Sequence, residues 1–174
     1  MIRIADIERE SIVDGEGVRY VIFTQGCNHN CLGCHNPSSH DFTGGKLISD
    51  EEILNDIDNS PLIDGITLSG GDPFFQAKEL ISLVKACKER ELTIWAYTGF
   101  IFDEFQKFMK KEPCDKRINK DMIKLLRLTD VLVDGPFILS ERTLSESFKG
   151  SKNQRILDVK KSIKNKKPII YEVE

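Results

Sequence analysis

Gly26-Cys27-Asn28-His29-Asn30-Cys31-Leu32-Gly33-Cys34-His35-Asn36-Pro37 gathers three of the chain's five cysteines into one short stretch at the spacing C-x3-C-x2-C. It follows the run Val18 to Gln25, rich in β-branched and aromatic residues, which reads as a buried or half-buried strand. The C-terminal end of a strand is where parallel α/β sheets place their sites. Three thiolates this close form a ligand set for a soft metal centre, and iron-sulfur clusters are held by cysteine thiolates. A four-iron cluster with three protein ligands keeps one iron open to another molecule, much as catalytic zinc keeps an open position. Two other chemistries compete. A disulfide is disfavoured by the odd count and by the lack of a secretory signal. Structural zinc would take His35 or His40 as a fourth ligand, although zinc sites usually pair two cysteine knuckles and only one is visible.

Outward from this loop, the chain alternates strands and helices. Met1 to Ile7 alternates apolar and polar residues as a strand does, without the apolar core of a signal peptide. Asp14-Gly15-Glu16-Gly17-Val18-Arg19 is a glycine turn ahead of the cysteine-delivering strand. Ser49-Asp50-Glu51-Glu52 is a capping box that opens an amphipathic helix to about Asn59. Asp64 to Ser69 is a strand ending in Gly70-Gly71-Asp72-Pro73-Phe74, followed by a helix from about Gln76 to Glu91 whose apolar stripe includes Cys87. Leu92 to Tyr97 is a strand ending at Thr98-Gly99, and Val131 to Val133 is another, ending at Asp134-Gly135-Pro136; helices are expected at Phe102 to Lys110 and Lys120 to Leu128. The tail reads as an undecided helix or strand to about Lys164, then a last strand from Pro168 to Val173.

This pattern predicts an α/β fold with a largely parallel sheet and right-handed crossovers. Four strand ends carrying the cysteines, Gly70-Gly71, Gly99 and Gly135 then lie at one edge and build one pocket, each glycine letting backbone approach a ligand. With 174 residues, 40% hydrophobic and 30% charged, one domain over residues 1–174 is expected. A net charge of -3 gives no bulk attraction to nucleic acid, and no apolar run approaches a membrane span. A cytoplasmic protein with neither nucleic-acid nor membrane partners is the expectation.

The C-x3-C-x2-C loop and Ser69-Gly70-Gly71-Asp72-Pro73 together resemble the radical S-adenosylmethionine superfamily. Within it, five further motifs resemble the glycyl radical enzyme activases of the anaerobic ribonucleoside-triphosphate reductase type. They are the Asp14-Gly15-x-Gly17-x-Arg19 turn, the Cys27-x-His29-x-Cys31-x-Gly33-Cys34-His35-Asn36 run, Tyr97-Thr98-Gly99-Phe100, Val133-Asp134-Gly135-Pro136-Phe137 and Gly150-Ser151-x-Asn153-Gln154-Arg155. The likeness spans nearly the whole chain. Two positions depart from the broader superfamily: Gly33 replaces the usual aromatic residue, as it does in this subfamily, and Asp72 replaces the usual glutamate.

The resemblance implies an incomplete βα barrel with an open sheet. It implies that Cys27, Cys31 and Cys34 hold a [4Fe-4S] cluster whose open iron is chelated by S-adenosylmethionine. One electron, from a flavodoxin- or ferredoxin-like donor, would split that molecule into methionine and a 5'-deoxyadenosyl radical. The radical would take a hydrogen atom from a glycine of the large reductase subunit. Ser69, Gly70, Gly71 and Asp72 would cradle the methionine end, so a Cβ at either glycine should block cofactor binding more than cluster assembly. Asp134 would contact the cofactor or a cation, or else form a turn. His29 and His35 would either hydrogen-bond cluster sulfurs or cap the loop. Cys87 is read as core, Cys114 as a lone loop thiol, and the lysines at 160, 161, 164, 166 and 167 as a solvated helix end or a docking patch. A radical enzyme acting on a small molecule, and a zinc or electron-transfer module, stand as alternatives. A full eight-unit barrel takes ~250 residues, so the sheet should stay open on one flank, where a macromolecular substrate can enter and help seal the site.

Overall fold

The computed structural model describes residues 1–174. The strand that delivers the cysteines, β2 (Arg19–Thr24), lies beside β1 (Ile2–Ser11), and the other strands are β3 (Lys46–Ile48), β4 (Gly65–Gly70), β5 (Thr93–Tyr97), β6 (Val131–Asp134) and β7 (Arg155–Asp158). They form one sheet in the order β3-β1-β2-β4-β5-β6-β7. The middle four, β2, β4, β5 and β6, are mutually parallel. On the flanks, β1 runs antiparallel to β2 and β3, and β7 runs antiparallel to β6. The two edges, β3 and β7, do not pair, so the barrel is open, as the chain length predicts.

Alternation along the strands divides the sheet into two faces. Ile22, Ile66, Leu68, Ile94, Ala96 and Leu132 belong to a core of 27 buried residues that also takes Leu80, Leu83, Val84 and Cys87 from α2 (Ala77–Glu89) and Leu125 and Leu126 from α4 (Lys120–Leu128). The other helices are α1 (Asp50–Asp58), α3 (Phe102–Met109) and α5 (Val159–Asn165). The capping box of α1 forms as expected: Ser49 Oγ accepts from Glu52 N at 3.1 Å, and Ser49 N donates to Glu52 Oε2 at 2.9 Å. Such a cap stabilises a helix by about 1 kcal/mol.

The opposite, concave face carries a smaller cluster of Trp95, Val131, Val133 and Ile156, with Tyr97, Phe148 and Tyr171 packed on it. Beneath Trp95 lies Arg19, 1% exposed. Its guanidinium donates to Thr67 Oγ1, Thr93 Oγ1, Ile66 O and Thr93 O. Burial without a contacting carboxylate lowers its pKa to about 10. The Arg of the glycine-turn motif is therefore a structural plug in the barrel floor.

Two features depart from the sequence reading. β3 was not expected, being three residues long and mostly exposed. The expected strand from Pro168 to Val173 does not form: only an isolated bridge joins Ile170 to Leu157. The segment bonds β7 through Asp158 N to Ile169 O and Tyr171 N to Ile156 O. It is then drawn across the concave face, where Tyr171 Oη donates to Glu16 Oε2 at 2.6 Å and Glu174 N to Glu16 Oε1 at 2.7 Å. The undecided stretch before it resolves into β7 and α5. No helix is long and apolar enough to cross a membrane.

Candidate active site

The C-terminal ends of the four parallel strands open into one cleft of about 830 Å³. Because alternate side chains share a face, Phe23, Ser69 and Tyr97 point onto the concave side, and all three line the cleft. Cys27, Cys31 and Cys34 line it, as do Gly70, Gly71, Thr98, Gly99 and Gly135. The convergence expected from four glycine-bearing loops is therefore present. One wall was not anticipated: Thr143 to Gly150, after β6, closes over the mouth, with Phe148 meeting Trp95 edge-on at 5.3 Å. No periodicity marks this wall. Its signal in the sequence is only the Gly150-Ser151-Lys152-Asn153-Gln154-Arg155 motif that anchors it.

The cysteine loop has little regular structure and is held by specific bonds. Gly26 takes φ +107°, and its N–H donates to Ser39 O at 2.7 Å, while Cys27 N donates to His40 O at 3.1 Å. Gln25 Nε2 donates to Ser38 O and Asp41 O, securing the returning chain. All three thiols of the loop are half-buried. Burial pushes the Cys27 thiol up to about 11, against a smaller opposite pull from the His29 backbone N–H.

The donor set fits a four-iron cluster. A four-iron cluster presents a different iron to each thiolate, and these three thiols border one cleft. Cys87 is fully buried in the core and Cys114 sits in the α3–α4 loop, its thiol facing Asp115 O at 3.7 Å. Neither lines the cleft.

The glycines after β4 are shaped against protein. A Cβ on Gly70, which has φ +95°, would strike the backbone of Phe23 and Thr24, and one on Gly71 would lie 2.5 Å from Gly26 O. The first atoms met are backbone, at the end of β2 for Gly70 and at the start of the cysteine loop for Gly71. Asp72 is 1% exposed and does not line the cleft. Its Oδ1 accepts from Phe74 N at 2.9 Å; its Oδ2 accepts from His29 Nε2 and Thr98 Oγ1, each at 2.8 Å, and from Gly99 N at 2.9 Å. A carboxylate only accepts, so His29 Nε2 carries the hydrogen. Nδ1 then faces Arg117 Nη1 at 3.5 Å as the acceptor.

Asp134 also differs from expectation. It follows Leu132 in the alternation and so faces the helices, away from the cleft; it is 0% exposed. Its carboxylate accepts from Phe102 N at 2.7 Å, from Arg155 Nε at 3.0 Å and from Arg155 Nη2 at 2.5 Å. Arg155 also reaches Asp103 at 2.7 Å, and these two acids hold its pKa above the usual arginine value. The neighbouring motif residues form a clasp: Gln154 Nε2 donates to Gly135 O while its Oε1 accepts from Gly150 N and Ser151 N, and Asn153 Nδ2 donates to Pro136 O. This ties the cleft wall to the end of β6. His35 lines the cleft and stacks on Phe137 at 4.9 Å.

Comparison with known proteins agrees with this geometry. Residues 13–157 match the family described as "4Fe-4S single cluster domain". Over 153 residues, covering 83% of this chain and 90% of the other, the sequence is 34% identical to an anaerobic ribonucleoside-triphosphate reductase-activating protein of Haemophilus influenzae. A protein of the same description from Enterobacteria phage T4 is 32% identical over 151 residues, 83% of this chain and 86% of the other. A pyruvate formate-lyase-activating enzyme of Clostridium pasteurianum is 37% identical over 114 residues, 62% of this chain and 48% of that one.

Proposed function

Because the chain belongs to the family of anaerobic ribonucleoside-triphosphate reductase-activating proteins, we propose that it is an activase that installs a glycyl radical on the large subunit of such a reductase. The observation that carries this reading is that Cys27, Cys31 and Cys34 share one cleft with the glycine-bearing ends of β4, β5 and β6. Cys27, Cys31 and Cys34 hold a [4Fe-4S] cluster. Bound there, the cluster and S-adenosylmethionine supply a one-electron reduction that ends in removal of a hydrogen atom from a glycine. Ser69, Gly70 and Gly71, which line the cleft, would hold the methionine end. Asp72 and Asp134 support these residues and the cleft wall from behind.

The rim favours a macromolecular substrate. Ile12, Val13 and Leu144 border the cleft and are 72%, 71% and 89% exposed. Exposed apolar side chains at the rim of a cleft suit contact with a protein partner. A folded glycyl loop entering the open flank would cover them and exclude water from the radical chemistry. The electron comes from a flavodoxin- or ferredoxin-like donor. A thiolate-held cluster calls for a reducing compartment, so the protein works in the cytoplasm.

The test is anaerobic reconstitution followed by assay with a candidate reductase. About four iron and four sulfide per chain are expected, with reductant-dependent cleavage of S-adenosylmethionine and a glycyl radical signal on the partner. One zinc per chain without cleavage, or cleavage that modifies only small molecules, would overturn the reading.

A further inference from the structure

His29 lies between two of the three proposed cluster ligands, and its side chain is 7% exposed. Every neighbour fixes it. Its ring meets Phe100 edge-on at 4.7 Å and Phe75 at 5.5 Å. Gly99 leaves room for it: a Cβ there would come within 2.6 Å of the imidazole Cδ2. Nε2 donates to Asp72 Oδ2, and Nδ1 faces Arg117, whose guanidinium covers Phe100 at 4.8 Å and donates to Asn28 Oδ1 at 2.9 Å. The cysteine loop has no strand or helix between Cys27 and Cys34 to hold it. Its middle is held instead by this socket, built from the end of β4, the end of β5 and the α3–α4 loop.

Asp72 has no acceptor capacity turned to the cleft. Oδ2 alone takes three donors, Oδ1 takes the Phe74 N–H, and the residue is 1% exposed. A ligand ammonium would have to reach a carboxylate that is 1% exposed, and at Oδ2 it would compete with three buried donors. We propose that Asp72 acts through His29 as a positioning residue: the Asp72–His29 pair pins the cysteine loop and fixes where the cluster sits against its cofactor, without Asp72 contacting that cofactor. This rests on the cluster reading above and assigns the Gly-Gly-Asp acid a different task from its glycine neighbours. A glutamate carries one more methylene, which would push its carboxylate out of reach of some of these donors, so the shorter acid is what the socket fits.

The experiment compares wild type with His29→Phe, Asp72→Asn and the double variant, all prepared anaerobically. Phe keeps a ring in the aromatic socket and removes the bond to Asp72 together with the long 3.5 Å contact to Arg117. Two readouts are taken on loaded protein: the electron paramagnetic resonance spectrum of the reduced cluster without cofactor, and the dissociation constant for S-adenosylmethionine. One is taken on apo-protein: amide hydrogen exchange over residues 27–34. Removing a hydrogen bond to a charged group should speed that exchange roughly tenfold in His29→Phe. Both single variants should shift the cofactor-free spectrum in the same way, and the double variant should go no further than the larger single effect, as one coupled unit requires. An unchanged spectrum and unchanged exchange in His29→Phe, with Asp72→Asn losing only cofactor affinity, would make Asp72 a direct ligand and overturn the proposal. If Asp72→Asn does not fold, His29→Phe decides alone. If wild type assembles no cluster, the activase reading fails, while the apo-protein exchange still separates a pinned loop from a free one.

Discussion

Gly71→Ala distinguishes a glycine shaped by ligand from one shaped by protein. Gly71 is not among the residues with positive φ, so alanine brings no dihedral strain. Its Cβ would lie 2.5 Å from Gly26 O and 2.9 Å from Gly26 C, whereas ordinary contact begins at 3.4 Å. The two chains must part by roughly 0.9 Å, a displacement in the class of core overpacking that costs about 1–3 kcal/mol. The bond from Asp72 N to Gly26 O, now 3.0 Å, would be stretched out of range. The residue displaced immediately precedes Cys27. Iron content after identical reconstitution should fall together with affinity for S-adenosylmethionine, and the Tm of the apo-protein should drop by roughly 2–12 °C at 2–4 °C per kcal/mol. Iron and sulfide analysis, equilibrium dialysis and thermal unfolding measure the three. Full iron content and unchanged Tm with affinity alone lost would refute the reasoning and return the Cβ to the ligand's space.

Other perturbations separate the remaining roles. Alanine at Cys27, Cys31 or Cys34 should abolish cofactor cleavage, whereas Cys114→Ala keeps it and Cys87→Ala keeps it at a stability cost of about 1–2 kcal/mol, since Cys87 is 0% exposed; cleavage assays and melting curves check this. Arg155→Met strands the buried Asp134 carboxylate and should destabilise by about 3 kcal/mol, read in urea unfolding, because breaking one side of a buried pair leaves an uncompensated charge. Leu144→Asp, at an 89% exposed position, should leave Tm within a degree or so but reduce glycyl radical yield on the folded reductase about fivefold or more, as loss of an apolar interface contact does. An equal loss on a short glycine peptide would argue against a docking role.

What the sequence disclosed and what it withheld divide by range. The cysteine spacing, the α1 capping box, the parallel strands and their glycine ends are local patterns, and each appears where its residues indicate. Asp134 was legible and misassigned: its alternation with Leu132 puts it on the helical face, although its partner Arg155 lies 21 residues on. Asp72 was not legible in this way, because its partners His29 and Thr98 lie 43 and 26 residues off and share no motif with it. The tail carries strand-forming residues, but Tyr171 and Glu174 find Glu16 155 and 158 positions away, and those contacts outweigh its propensity. The wall from Thr143 to Gly150 is held at its end by the Gln154 side chain, whose Oε1 accepts from Gly150 N and Ser151 N, which composition alone does not reveal.

The socket around His29 has a consequence for the order in which the molecule can be made. The thiols are complete once residue 34 is added, but Arg117, which covers His29 and bonds Asn28, is 89 positions from Asn28. At a synthesis rate of 5–20 residues per second, the 83 residues from Cys34 to Arg117 take roughly 4–17 s. Until then the segment that carries the three cysteines lacks the Arg117 side of its socket. The socket is complete only when the α3–α4 loop has arrived. Brief exposure of growing chains to oxygen should therefore do more lasting harm to activity than the same exposure of finished apo-protein.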